Sequence, residues 1–165
     1  MTVVVADTSP LNYLVLIGEV DLLARLYTQI LMPDVVAAEL CDPEAPEPVR
    51  KWAADPPSWV EVRSAPASSE PLERLDDGER AAILLAAAQP APVLLLIDDA
   101  DGRAEAERRG IPATGTLGVL RGAAMRGLVD LPAALSRLTS TSFRCAAVLI
   151  EELLAEDRQR NPGRS

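Results

Sequence analysis

Two kinds of apolar pattern alternate along the chain. Short strand-like stretches occur at Val3–Ala6, Gln29–Met32, Val93–Ile97 and Ile111–Ala113, which are mainly apolar, and at Trp59–Val62, which alternates. Runs this short fit strands buried on both faces, as in parallel sheets. Stretches with helical spacing lie between them. Ser9 and Pro10 open the first helix, Leu11–Ile17, since Ser caps helices and Pro suits a first helical position; Gly18 stops it. Further helices are expected over Glu19–Tyr27, from Pro33 through Leu40, and over Pro48–Ala54, Arg80–Ala88 and Gly102–Arg109. Others follow from Thr116, read as a cap, to about Arg126, and over Leu131–Leu138 and Cys145–Asp157. The Pro- and Glu-rich stretch 42–48 and the Ala/Pro/Ser-rich stretch 64–71 read as loops. Strands separated by helices predict an α/β fold around a parallel sheet of about five strands. There is no internal repeat. Residues 1–158 read as one domain and 159–165 as a flexible tail.

Composition narrows the chemistry. The 165 residues carry 16 basic and 25 acidic side chains, no histidine, and a formal charge of −9. Without histidine there is no imidazole general base, no Ser-His-Asp triad and no His-ligated zinc. The acidity argues against a protein that grips nucleic acid by net positive charge. It is unevenly spread: residues 1–99 sum to −11 and residues 100–165 to +2. Fifteen of the 16 basic residues are arginine, which suits bidentate phosphate contacts. Cys41 and Cys145 have no metal-ligand spacing and read as buried thiols of a cytosolic protein, with a disulfide between them left open. The first residues lack a basic n-region, and no apolar run reaches the ~20 residues of a membrane span. A soluble, cytoplasmic protein is expected.

What remains is carboxylate chemistry. Sites in open α/β sheets form beyond the carboxyl ends of the strands. Asp7 follows the first strand, and Asp98 and Asp99 follow the fourth. Glu39 lies in an otherwise apolar helix, and Glu79 in the first turn of a helix rich in Ala, Ile and Leu. Each has an ordinary alternative: Asp7, Asp76, Asp77 or one of Asp98 and Asp99 as a helix cap, and Glu79 at the positive end of a helix dipole. Together they make a stronger case. Like charges crowded in a cleft are costly unless a cation neutralises them, and oxygen-only ligands favour Mg²⁺ or Mn²⁺.

The motifs that carry these acids resemble those of PIN-domain ribonucleases. The likeness runs through Ala6-Asp7-Thr8-Ser9-Pro10-Leu11, Pro33–Leu40, Asp77-Gly78-Glu79-Arg80-Ala81-Ala82, Leu95-Leu96-Ile97-Asp98-Asp99 and Thr114-Gly115-Thr116-Leu117-Gly118. It covers about residues 2–155, with most likeness to the branch related to VapC-type toxins of toxin–antitoxin pairs. The resemblance implies a three-layer sandwich with strand order 3-2-1-4-5 and a Mg²⁺- or Mn²⁺-dependent endoribonuclease. It implies catalytic roles for Asp7, Glu39, Glu79 and Asp99. Asp7, Asp99, Asp98 and Glu79 would hold metal, and Thr8 and Ser9 would place hydroxyls beside it. Where many relatives carry another acid, this chain has Thr114-Gly115-Thr116, and Thr116 is expected to hold a water or a phosphate. Products with a 5′-phosphate and a 3′-hydroxyl, a homodimer and a cognate antitoxin are likewise implied.

Arg103, Arg121 and Arg126 are the arginines expected to contact RNA. The apolar Tyr13, Leu14, Leu16, Leu23 and Leu26 read mainly as core, with part of that surface free for a second copy. Other acid-using folds match less well. The only lysine is Lys51, which does not suit a receiver domain, and Asp7-Thr8-Ser9 lacks the second acid of HAD-type phosphatases. There is no Walker-type loop. The rival from another class is a PIN-like binding or interaction module with little turnover.

Overall fold

The computed structural model describes residues 2–163. Five strands, β1 (Val3–Ala6), β2 (Ile30–Pro33), β3 (Val60–Arg63), β4 (Val93–Leu96) and β5 (Ala113–Thr114), form one parallel sheet ordered β3-β2-β1-β4-β5. The expected topology is therefore found. The helices are α1 (Thr8–Leu16), α2 (Leu22–Tyr27), α3 (Asp34–Leu40), α4 (Glu47–Ala54), α5 (Asp77–Ala87), α6 (Ala100–Arg108), α7 (Thr116–Met125), α8 (Leu131–Thr139) and α9 (Ala147–Arg160).

Strand periodicity builds the layers. Successive side chains of a strand point to opposite faces. Val4 and Ala6 of β1, Ile30 and Met32 of β2 and Leu96 of β4 join one core, with α1, α2, α3, α7 and α8. Val5, Leu31 and Leu95 face the other way and join a second core with α5 and α6. A sheet apolar on both faces needs a helical layer on each, hence three layers. Gly18 and Gly110 adopt φ of 75° and 71°, which a side chain would strain, and close α1 and α6 as expected.

Several local expectations are corrected. Asp7, not Ser9, occupies the cap position of α1, so Ser9 falls in the first turn with its hydroxyl free to reach elsewhere. Gly115 precedes α7, so Thr116 is inside the helix rather than its cap. Both cysteines are exposed and unpaired. Leu14 and Leu23 are fully buried, and Tyr13, Leu16 and Leu26 pack partly buried against the same core, as the core reading of this set expects. Among the described residues no helix is long and apolar enough to cross a membrane.

The expected tail also changes. Helix α9 continues through Gln159 and Arg160, and only 161–163 of the described residues lie beyond it. Arg160 Nη1 donates to Glu156, itself bonded by Arg121 of α7, and Arg160 Nη2 donates to Asp157 at 3.3 Å. Asp157 is 2% exposed, so Arg160 compensates a buried carboxylate. Arg160→Ala is expected to cost about 1–3 kcal/mol in urea unfolding, whereas the exposed Arg158 should tolerate alanine with little change.

Candidate active site

In sheet order β3-β2-β1-β4-β5 the chain winds outward in one direction from β1 and in the other from β4. Ligands of open α/β sheets bind at such a reversal. Ala6 is in register with Leu96, so Asp7 leaves β1 close to where Ile97, Asp98 and Asp99 leave β4. Asp7, Ser9, Glu79, Asp98 and Asp99 line one open cleft of about 330 Å³ there.

Asp7 is the most constrained group. It is 3% exposed, and its Oδ1 is buried with no hydrogen-bond partner. Burial raises its carboxyl to about 8; the Thr8 amide opposes this, and the charges of Asp76, Glu79 and Glu39 add to it. Burial likewise lifts Glu79 to about 7, against the Asp76 amide and helped by the charges of Asp76 and Asp99.

The surrounding acids are held in place. Asp76 caps α5: its Oδ1 accepts from the Glu79 amide at 2.8 Å, while Glu79 Oε2 accepts from the Asp76 amide at 3.1 Å. The ordinary reading of Asp76 is thus the right one, and Glu79 keeps Oε1 outside this box. Asp98 accepts three bonds: Ser9 Oγ at 2.8 Å and Thr116 Oγ1 at 2.7 Å on Oδ2, and the Thr116 amide at 2.6 Å on Oδ1. Asp99 Oδ2 caps α6 through the Gly102 amide at 2.9 Å, leaving Oδ1 outside that cap. Asp98 is therefore the more heavily engaged of the pair.

Glu39 lies beside the cleft rather than in its lining. Thr8 Oγ1 donates to its Oε2. A Cβ on Gly78 would stand 2.6 Å from that same oxygen, so the missing side chain lets the positive end of α5 close on Glu39. Gly115 acts likewise: a Cβ there would fall 2.5 Å from Asp98 Oδ1.

The structure separates the remaining expected residues. Thr116 is fully buried and donates both its hydroxyl and its amide to Asp98, so it positions that carboxylate. Arg121 bonds Glu156 at 3.0 Å and Arg126 donates to the Arg25 carbonyl at 3.2 Å; neither lines the cleft. Arg103 lines an adjoining groove. Four lining residues were missed: Tyr13, Ser142, Phe143 and Arg144. Tyr13 Oη and Ser142 Oγ are 3.0 Å apart, and the Tyr13 and Phe143 rings meet edge to face at 5.1 Å. Tyr13 had a signal, since it follows Ser9 by four residues on one helical face. The 142–144 loop had none.

A family model described as a PIN domain matches residues 3–159. The chain belongs to the PIN domain family. No curated protein matches it. PIN domains are generally nucleases that use divalent metal ions, and this PIN domain's donors suit such an ion. They are all oxygens, as a hard cation prefers. An unpartnered, buried Asp7 Oδ1 is the atom such an ion would satisfy. Among the described residues no three or more acidic or cysteine side chains are gathered closely enough to hold an ion together. Mg²⁺ commonly keeps several waters, so one or two carboxylates suffice.

A pH dependence follows. Asp7 and Glu79 have raised values in the fold, so the folded chain holds protons that the unfolded chain releases. Stability then falls as pH rises from about 5 to 8. Glu105, lowered to about 2, acts in acid outside this window. Metal-free protein should melt several degrees lower at about pH 8 than at about pH 5.5 by calorimetry. Millimolar Mg²⁺ should recover this at the higher pH and do little at the lower. Asp7→Asn should flatten both dependences.

Proposed function

We propose that this PIN domain is a metal-dependent endoribonuclease, the toxin component of a type II toxin–antitoxin pair. One observation carries the hydrolase reading above all: a buried, unpartnered Asp7 carboxylate at the sheet's switch point, facing other acids. That arrangement is destabilising unless something positive is bound.

Asp7 and Asp99 Oδ1 are the groups to hold the ion, with Asp98 fixed by Ser9 and Thr116 as the neighbour that positions the turn. When bound, Mg²⁺ or Mn²⁺ supplies a water of lowered pKa and stabilises charge on the phosphoryl oxygens. Glu79, near 7 and tied to the Asp76 amide through Oε2, would accept a proton from an attacking water with Oε1. In-line attack of the water oxygen on phosphorus would form the new phosphorus–oxygen bond as the bond to the 3′ oxygen breaks, and the proton taken up by Glu79 would go to that oxygen, leaving a 5′-phosphate and a 3′-hydroxyl. Glu39 adds negative charge behind Asp7 and is itself held by Thr8. A protein antitoxin as regulator, a homodimer as assembly and a cytoplasmic site of action belong to the same reading and rest on the family likeness. A weakly active interaction module is the rival, favoured by the ordinary capping duties of Asp76, Glu79 and Asp99.

Purified protein with Mn²⁺ or Mg²⁺ should cleave single-stranded RNA. Asp7→Asn should lower the rate by about a hundredfold or more. Absence of both cleavage and divalent-ion binding would refute the hydrolase. The two strand-end acids should separate. Asp99→Asn keeps a good cap, so it should lose rate while melting normally. Asp98→Asn puts an amide against three donors and should cost about 1–3 kcal/mol of stability as well. Gly115→Ala, which pushes on Asp98, should lower the rate in an assay where secondary structure by circular dichroism is unchanged.

A further inference from the structure

Beside the acid cleft lies a second groove of about 360 Å³, and Asp98, Phe143 and Arg144 line both. Arg103 of α6, Gly115 and Cys145 line the second alone. Each opening is of a size, about 300–1,000 Å³, that encloses a small ligand group. The shared wall makes them one trough over the ends of β4 and β5.

The described arginines divide into those paired with a carboxylate and those that are not, which are Arg103 and Arg144 in this trough and Arg25, Arg50, Arg74, Arg126 and Arg158 elsewhere. Arg63, Arg80, Arg108, Arg109, Arg121 and Arg137 each pair with a carboxylate. Among the described residues no carboxylate lies within ion-pair distance of Arg103 or Arg144, and both are exposed. Arg144 stands on the rim of an acid cleft yet pairs with none of its acids. Its Nη1 is held instead by the Thr141 and Phe143 carbonyl oxygens, at 3.3 and 3.1 Å. That leaves the rest of the guanidinium for an outside anion. Phe143, half-buried and braced edge-on by Tyr13, gives the same wall a flat apolar surface.

We infer that the second groove takes the nucleotide next to the scissile bond of a single RNA strand. Arg144, common to both openings, contacts the phosphate nearer the acids, and Arg103 the one beyond. Phosphates offer each guanidinium the bidentate partner that the carboxylates here do not. Phe143 offers a stacking surface that only an unpaired base can use, which selects single strands over duplex. The inference rests on the hydrolase reading for what happens in the cleft, but the groove's occupancy is measured without it.

Cys145 is an exposed free thiol in the groove wall and a built-in reporter. Cys41 is exposed too and is removed as Cys41→Ser, and Glu79→Gln, which leaves the Asp7 and Asp99 carboxylates and the Asp76 cap in place, removes cleavage from the measurement. With Mg²⁺ present, an oligouridylate of about six nucleotides should slow maleimide labelling of Cys145 in step with its binding. Arg103→Ala with Arg144→Ala should weaken that binding about a hundredfold and flatten its log–log salt slope by about 1.4. Labelling that is unchanged at saturating oligonucleotide, or a salt slope unchanged in the arginine variant, would overturn the assignment. If that happens while wild-type protein cleaves RNA, the groove falls and the hydrolase stands. If Cys145 is protected but the wild type never cleaves, the groove stands and the hydrolase falls.

Discussion

The site depends on one carboxylate kept out of water without a partner. A buried, unpaired polar atom costs free energy, and a buried charge costs more. Asp7 meets that cost in the metal-free chain by holding a proton, with its carboxyl near 8. The position follows from the fold. Asp7 follows β1, a central strand covered on both faces, so the first polar residue after it emerges among buried apolar side chains. Glu79 and Glu39 then act on it from two other elements, each fixed by a hydrogen bond of its own. A cation relieves all of these repulsions at once, which no neutral ligand does.

Close approach of backbone makes that crowding feasible. Gly78 brings the start of α5 onto Glu39, and Gly115 brings the start of α7 onto Asp98. Both helices thus direct their N-termini toward acids, where free amides and the helix dipole favour negative charge. The Thr116 amide takes direct part, donating to Asp98 at 2.6 Å. The same acids therefore hold the scaffold together as well as crowd the cleft. Capping and site duty are compatible in Asp99, where Oδ2 serves the helix and Oδ1 lies outside the cap.

What was legible in the sequence was whatever repeats locally. Short apolar runs and one alternating stretch marked the strands, and strand-end acids marked Asp7, Asp98 and Asp99. The order 3-2-1-4-5 came through likeness of motifs, since no periodicity reports which strand lies beside which. Residues whose roles depend on distant segments were opaque. Thr116 looks like a cap until Asp98, 18 residues earlier, is seen to take both its donors. Arg121 looks free until α9 supplies Glu156. Ser142–Arg144 has no pattern at all, and only the docking of Phe143 on Tyr13 brings it to the cleft. The cysteines misled because Cys favours burial as a type, whereas both here are exposed beside helix ends.

Ion pairing also recasts the net charge. An excess of acid does not keep a polyanion away if the acids are spent elsewhere. Much of the basic complement is neutralised on helix faces by neighbours such as Glu105, Glu156 and Glu19. Those arginines lend little to a phosphate strand, because binding it would first break an existing pair. Among those left without carboxylate partners, Arg144 lines the cleft and Arg103 the groove beside it. With −9 overall and only two such contacts beside the acids, long-range attraction for nucleic acid is weak. Binding must then rely on the bound cation and on short-range contacts made together, so a strand that reaches both grooves is held far better than one that reaches either alone.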